Sequence, residues 1–153
     1  MAIAPSSPIP ETAERRAAVT REIQAATGLE ESVLARLVRT FYETARQDEI
    51  IGHKFDGVQD WETHIARITS FWSSVALRTG RYQGQPLPVH FPLDLEPPHF
   101  TRWLTLFEKT AHDVCTPAAA ELLMDKARRI ARSLELGIAV GRGELPSRTG
   151  ARA

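Results

Sequence analysis

Three observations predict an all-α domain. Apolar side chains recur at helical spacing in five stretches, and no stretch alternates apolar and polar residues with the period of a strand. The expected helix starts carry capping residues or prolines, and glycine marks several of the stops. At 153 residues the chain is long enough for one domain with its own core and too short for two ordinary ones. The expected organisation is a flexible N-terminal tail over 1–10, a domain over 11–141 and a flexible C-terminal tail over 142–153.

The first helix is expected over 11–27, with Val19, Ile23 and Ala26 on one side and Arg15, Arg16 and Arg21 outside that stripe. Thr27-Gly28-Leu29-Glu30 has the form of a capping box and is expected to open the second helix. Leu34, Leu37, Val38, Phe41 and Ala45 follow at helical spacing, with Tyr42 at the stripe's edge. The pattern fades over 47–52, and Phe55 falls in a short loop turning at Asp56-Gly57.

Asp60 reads as the N-cap of a third helix that runs to about Leu77, before Thr79-Gly80. Trp61, His64, Ile68, Phe71 and Trp72 share one face of it. Gly84, Pro86 and Pro88 exclude a regular helix over 81–90, where a stiff loop ends on His90. Pro97-Pro98 leads a fourth helix with Phe100, Trp103, Leu104, Phe107, Ala111 and Val114 as its stripe. Thr116-Pro117, a cap followed by proline, starts the last helix. Leu123, Ala127, Ile130, Leu134 and Ile138 point inward there, while Asp125, Arg128 and Arg129 form a solvated outer set.

Composition removes several function classes. Formal net charge is zero with no long run of one sign, which argues against a nucleic-acid surface or a polybasic membrane patch. No apolar run approaches the length that crosses a bilayer, and the first residues have no basic region followed by an apolar segment. Cys115 is the single cysteine, so an intrachain disulfide and a cysteine-rich zinc site are both excluded. A soluble cytoplasmic protein is the expectation.

Three helical stripes are rich in aromatic residues, and for Phe41, Trp72 and Phe107 a core role explains that well enough. Tyr42, His64 and Trp103 fit such a core less well, because each brings a polar group to an inward face and buried polar groups need partners. A histidine on an apolar helical face is by itself more often a satisfied core residue, and a histidine in a turn more often lies at the surface. Taken together, one histidine on a helix and one on a stiff loop can address a flat cofactor from opposite faces. Haem requires one axial nitrogen, an apolar slot and distal donors. His90 fits the first role, and Tyr42, His64 and Trp103 fit the last.

The segments FYETARQDEIIGHKF, DWETHIARITSFWSSVALRTGRYQGQPLPVHFPL and HFTRWLTLFEKT strongly resemble the truncated haemoglobins, their group III in particular, over about 15–140. The ordered series Phe-Tyr, Trp-x-x-His, Phe-Trp, Tyr-x-Gly-x-Pro-x-x-x-His and Arg-Trp-Leu is more specific than any one motif within it. The resemblance implies a shortened globin fold, a two-over-two helical sandwich around haem b, with a loop in place of most of the proximal helix. It makes His90 the iron ligand and Phe55 the phenylalanine packed on the porphyrin. It makes Tyr42, His64 and Trp103 the distal ligand-binding residues, with Ile68 as the apolar distal residue one turn beyond His64. Phe71, Trp72, Tyr82, Leu87, Phe91 and Phe100 are implied as walls of the cofactor site. One departure is Gly52-His53-Lys54-Phe55, where a Gly-Pro-Ile-Phe-like run is expected. It leaves His53 at the surface or beside the haem propionates. His99 and His112 are expected to be exposed.

The implied ligands are O2, CO and NO. With a Tyr42 O–H and a Trp103 N–H as donors in a dry pocket, O2 is expected to leave slowly, which favours NO oxidation or peroxide activation over oxygen carriage. A peroxidase or NO dioxygenase drawing electrons from an external reductase is the alternative among enzymes. A helical interaction module without haem is the alternative outside the family.

Overall fold

The computed structural model describes residues 12–86, 90 and 93–143. The expected tail over 1–10 lies outside them, as do residues 144–153 of the expected tail over 142–153, Leu87 and Phe91. Among the described residues there are five helices, α1 (Ala13–Thr27), α2 (Glu31–Ala45), α3 (Trp61–Leu77), α4 (Pro97–Val114) and α5 (Pro117–Gly141), with a 3-10 turn at Gly52–Phe55. No strand occurs among the described residues. The helices pack as two pairs, α2 with α3 and α4 with α5, joined where α2 crosses α4.

α1 is held by its ends more than by its face. The Thr12 hydroxyl accepts from Arg15 N at 3.0 Å, and Gly28, at φ 74°, closes the helix in a left-handed cap. No residue of α1 is fully buried; Val19 and Ile23 are half-buried and Ala26 is exposed, which corrects the expected inward stripe. The expected capping box at Thr27 is also absent. Thr27 is the last residue of α1, and its hydroxyl donates back to Ile23 O at 2.7 Å and accepts from Leu29 N at 3.2 Å. Glu30 then caps α2 with no side-chain bond. The hydroxyl's nearby carbonyl outcompetes a partner three residues ahead.

α2 is the most clearly amphipathic helix, and it buries Leu34, Leu37, Val38, Phe41, Tyr42 and Ala45. Tyr42 lies deeper than the stripe's edge, at 8% exposed. Beyond α2 the Asp48 carboxylate accepts from Ile50 N and Ile51 N at 3.0 and 3.1 Å and from Arg102 Nη2 of α4 at 2.6 Å. Arg102 and these amides hold the Asp48 carboxyl below the usual carboxylate range. Gly52 follows, where a Cβ would lie 2.6 Å from Arg46 O, so this turn requires glycine. Phe55 closes the 3-10 turn rather than lying in an irregular loop.

Asp60 caps α3 as expected, accepting from Thr63 N at 3.1 Å and Thr63 Oγ1 at 2.6 Å. The helix ends at Leu77, with Arg78 rather than a glycine in the left-handed cap at φ 64°. Pro97-Pro98 and Thr116-Pro117 open α4 and α5. The Thr116 hydroxyl accepts from Ala119 N at 3.1 Å and donates to Thr27 O at 2.6 Å, tying α5 to the end of α1. Of the inward set on α5, Leu123, Ala127 and Ile138 are buried, while Ile130 and Leu134 are half-buried. The outer set divides: Arg129 pairs with Asp125 at 3.3 Å, and Arg128 with Glu108 of α4 at 3.5 Å.

Candidate functional site

Tyr42 is where two aromatic groups meet. Toward the loop and α3 its ring lies 5.3 Å from Phe55, 5.6 Å from Trp61 and 5.3 Å from His64. Toward the core it lies edge-on to Phe41 at 5.1 Å. Phe41 in turn meets Trp103 at 5.8 Å and Phe107 at 5.6 Å. Trp103 and Trp72 stack on Phe107 at 5.0 and 4.9 Å, with interplanar angles of 10° and 19°. Helical periodicity places Phe41, Trp103 and Phe107 inward; the 3-10 turn at Gly52 brings Phe55 round to Tyr42 and Trp61.

α3 presents two faces. Ile65, Trp72, Ser73, Ala76 and Leu77 are buried in the core. Trp61, His64, Ile68, Phe71 and Val75 form a neighbouring stripe that the protein covers only in part. A half-covered apolar stripe beside a tyrosine is the wall expected of a flat apolar ligand's slot. Tyr82, whose N–H donates to Ser74 Oγ at 2.7 Å, extends that wall by packing on Phe71 at 5.2 Å.

The polar atoms are unusual for a closed core. His64 Nε2 is shielded from solvent and has no hydrogen-bond partner among the described residues. Of the polar groups on these faces, His64 Nε2 is the enclosed one without a partner; the Tyr42 ring lies 5.3 Å from the His64 ring, and Trp103 is half-buried beyond Phe41. Burial pushes the Tyr42 phenol well above its usual range, so it stays an O–H donor at every physiological pH. Burial, followed by the charges of Arg67 and His90, pushes the His64 imidazole below its ordinary value. His64 is therefore neutral at pH 7.

His90 is half-buried, and its Nδ1 lies 2.6 Å from the Pro86 carbonyl. A carbonyl can only accept, so Nδ1 carries the proton and Nε2 keeps its lone pair as a potential ligand. Among the described residues no cluster of three or more His, Cys, Asp or Glu could hold a metal ion.

The sequence-predicted residues thus separate by position. Tyr42, His64 and Phe55 come together directly, Trp103 joins them through Phe41, and Ile68, Phe71 and Tyr82 continue along the α3 wall. Trp72 is fully packed against Phe107. Phe100 sits in a second buried cluster with Ala131 and Ile138, apart from Tyr42. His53 is exposed, with its ring 6.2 Å from His99. His112 is exposed, whereas His99 is half-buried and accepts from Glu96 N at 2.8 Å as part of the α4 cap. Cys115 is a half-buried free thiol at the end of α4, and burial pushes its pKa up.

Two site residues escaped sequence reasoning. Trp61 packs on Tyr42 and His64, and the Arg46 guanidinium lies 4.0 Å above its ring. The i, i+3 spacing of Trp61 and His64 was a signal for the first contact. Nothing local in the sequence marks Arg46.

No family model matches the chain. Among curated proteins it is 34% identical over 104 residues to the group 3 truncated hemoglobin ctb of Campylobacter jejuni, covering 64% of this chain and 82% of that protein. Among solved structures it is similar to the crystal structure of the group III truncated hemoglobin from Campylobacter jejuni. The TM-score is 0.64 and the identity 33%, over 70% of this chain and 89% of that one.

Proposed function

The chain belongs to the group III truncated haemoglobins, and on that premise we propose that it binds haem b through His90 and takes O2, CO or NO on the Tyr42 side. The carrying observation is the partnerless His64 Nε2, shielded from solvent beside Tyr42; the Nδ1 contact of His90 to the Pro86 carbonyl supports the same reading by leaving Nε2 as its ligating atom. A closed apolar core would not keep such atoms, since each buried unpaired polar group costs about 1–3 kcal/mol. Haem held there would supply an iron that binds and polarises a diatomic gas.

The residues divide the remaining work. The Pro86 carbonyl fixes the tautomer and orientation of His90 and raises its basicity as a ligand. Phe55, Ile68, Phe71 and Tyr82 supply apolar walls that exclude water. The Tyr42 hydroxyl and the Trp103 indole N–H donate to the charged gas, and in a dry pocket such donors act far more strongly than in water. Neutral His64 can donate through one ring nitrogen only, and the Trp61 ring held under Arg46 limits where it can swing. Two neutral donors favour slow O2 release, and with it chemistry on the gas, such as NO oxidation fed by an external reductase.

The test is reconstitution with haemin, followed by reduction and exposure to CO. The proposal expects one haem per chain and a CO-shifted Soret band. Haem uptake that is no tighter than to serum albumin would overturn it.

A further inference from the structure

A second recessed site lies away from the aromatic pocket, where α1 passes the end of α3. It is a cleft of about 410 Å³ whose lining includes Arg16, Arg21, Gln24, Glu31, Thr79 and Arg81. Three guanidiniums face one carboxylate. That carboxylate is already engaged: Glu31 Oε2 accepts from the fully buried Ser73 hydroxyl at 2.7 Å and lies 3.6 Å from Arg81 Nε. The Ser73 hydroxyl also shares a 2.6 Å bond with Thr79 Oγ1, so the floor is a rigid polar network and not a chance hollow.

Arg16 is the anomaly. Its Nε is shielded from solvent and has no hydrogen-bond partner among the described residues. Gly80, at φ 74°, leaves room for this side chain; a Cβ there would lie 3.2 Å from Arg16 Nη1. The enclosed Nε holds this guanidinium in place without giving it an acceptor there, and its Nη groups, beside Gly80 in the cleft lining, are the donors left for an anion. Glu31 meets Arg81 only at its Nε, so the other donors of Arg81 stay available, and with Arg16 and Arg21 beside it the cleft keeps a positive surplus. We infer that the cleft between α1 and the 79–81 segment binds a small phosphate-bearing anion, with Arg16 and Arg81 as the planar forks that grip it.

The segment it would grip leads on to Tyr82, which packs on Phe71, and further on to His90. The experiment uses the full-length holoprotein at constant ionic strength. Inorganic phosphate, glycerol 3-phosphate and vesicles containing phosphatidic acid are titrated while the backbone amide signals of Thr79, Gly80 and Arg81 are followed. Saturable shifts with glycerol 3-phosphate are expected, weakened about tenfold by Arg16→Gln and by Arg81→Gln, the loss of one charge-assisted pair. Arg81 is largely exposed, so its variant tests the site even if Arg16→Gln unfolds. Shifts that grow linearly without saturating, that persist unchanged in Arg81→Gln, or that appear only with vesicles would each overturn the inference.

Discussion

On the proposed reading Trp103 and Tyr42 are the two neutral donors to the gas, and they come from different helices. Replacing Trp103 with Phe keeps the stack on Phe107 and removes only the N–H. O2 dissociation should then accelerate about tenfold or more, while CO dissociation, measured by the same ligand-replacement kinetics, changes little. An unchanged O2 rate would remove Trp103 from the account. His64 gives a pH prediction. Its folded pKa is depressed, so the unfolded chain binds more protons at mildly acidic pH. Stability is therefore fully present above the ordinary histidine range and falls as pH drops through it, and His64→Leu should flatten that part of the unfolding curve. Residues of this kind were partly legible in the sequence. Tyr42, His64 and His90 stood out because a polar group on an apolar face needs a reason. Arg46 did not, because a cation over a ring is a tertiary contact made from an exposed helix end.

At the scale of elements, the helices were legible where capping chemistry is local. Asp60, Pro97-Pro98 and Thr116-Pro117 open α3, α4 and α5 as read. Thr27 misled because its hydroxyl found a carbonyl within its own helix, and Ala26 because α1 meets the core through Ile23 and the Thr20 hydroxyl bond to Leu77 O while Ala26 stays exposed. The connection after α2 was read as a fading helix and loop. Its real organiser is Asp48, whose carboxylate binds two amides and reaches Arg102, a partner 54 residues away that no local pattern reveals. Gly52→Ala should show how tightly this turn is set. The Cβ must move Arg46 O or the turn itself, and equilibrium denaturation should register a loss of about 1–3 kcal/mol. Phe55 would be displaced with it, so haem affinity should fall in the same variant.

For the whole molecule, the aromatic side chains serve both as core and as one side of the pocket. Phe107, at 1% exposed, holds Trp72 on one side and Trp103 on the other, and Phe41 joins this stack to Tyr42. Phe107→Ala should therefore cost about 3–5 kcal/mol by denaturant unfolding and loosen the donors as well. That coupling explains why the all-α class was the easiest feature to read and the pocket the hardest. Periodicity reports which face is inward, but it does not separate a wall packed against protein from one packed against a ligand. Phe100 is the example: it sits on the same stripe as Trp103, yet it packs into a separate cluster with Ala131 and Ile138.

The central claim is that His90, and not His64, holds the haem iron, and the absorption spectrum of the reduced and oxidised holoprotein beside His90→Ala and His64→Ala tests it most directly. The account predicts that His90→Ala loses or rewires the Soret and CO-sensitive ferrous bands while His64→Ala keeps them. Unaltered bands in His90→Ala, or their loss only in His64→Ala, would contradict it.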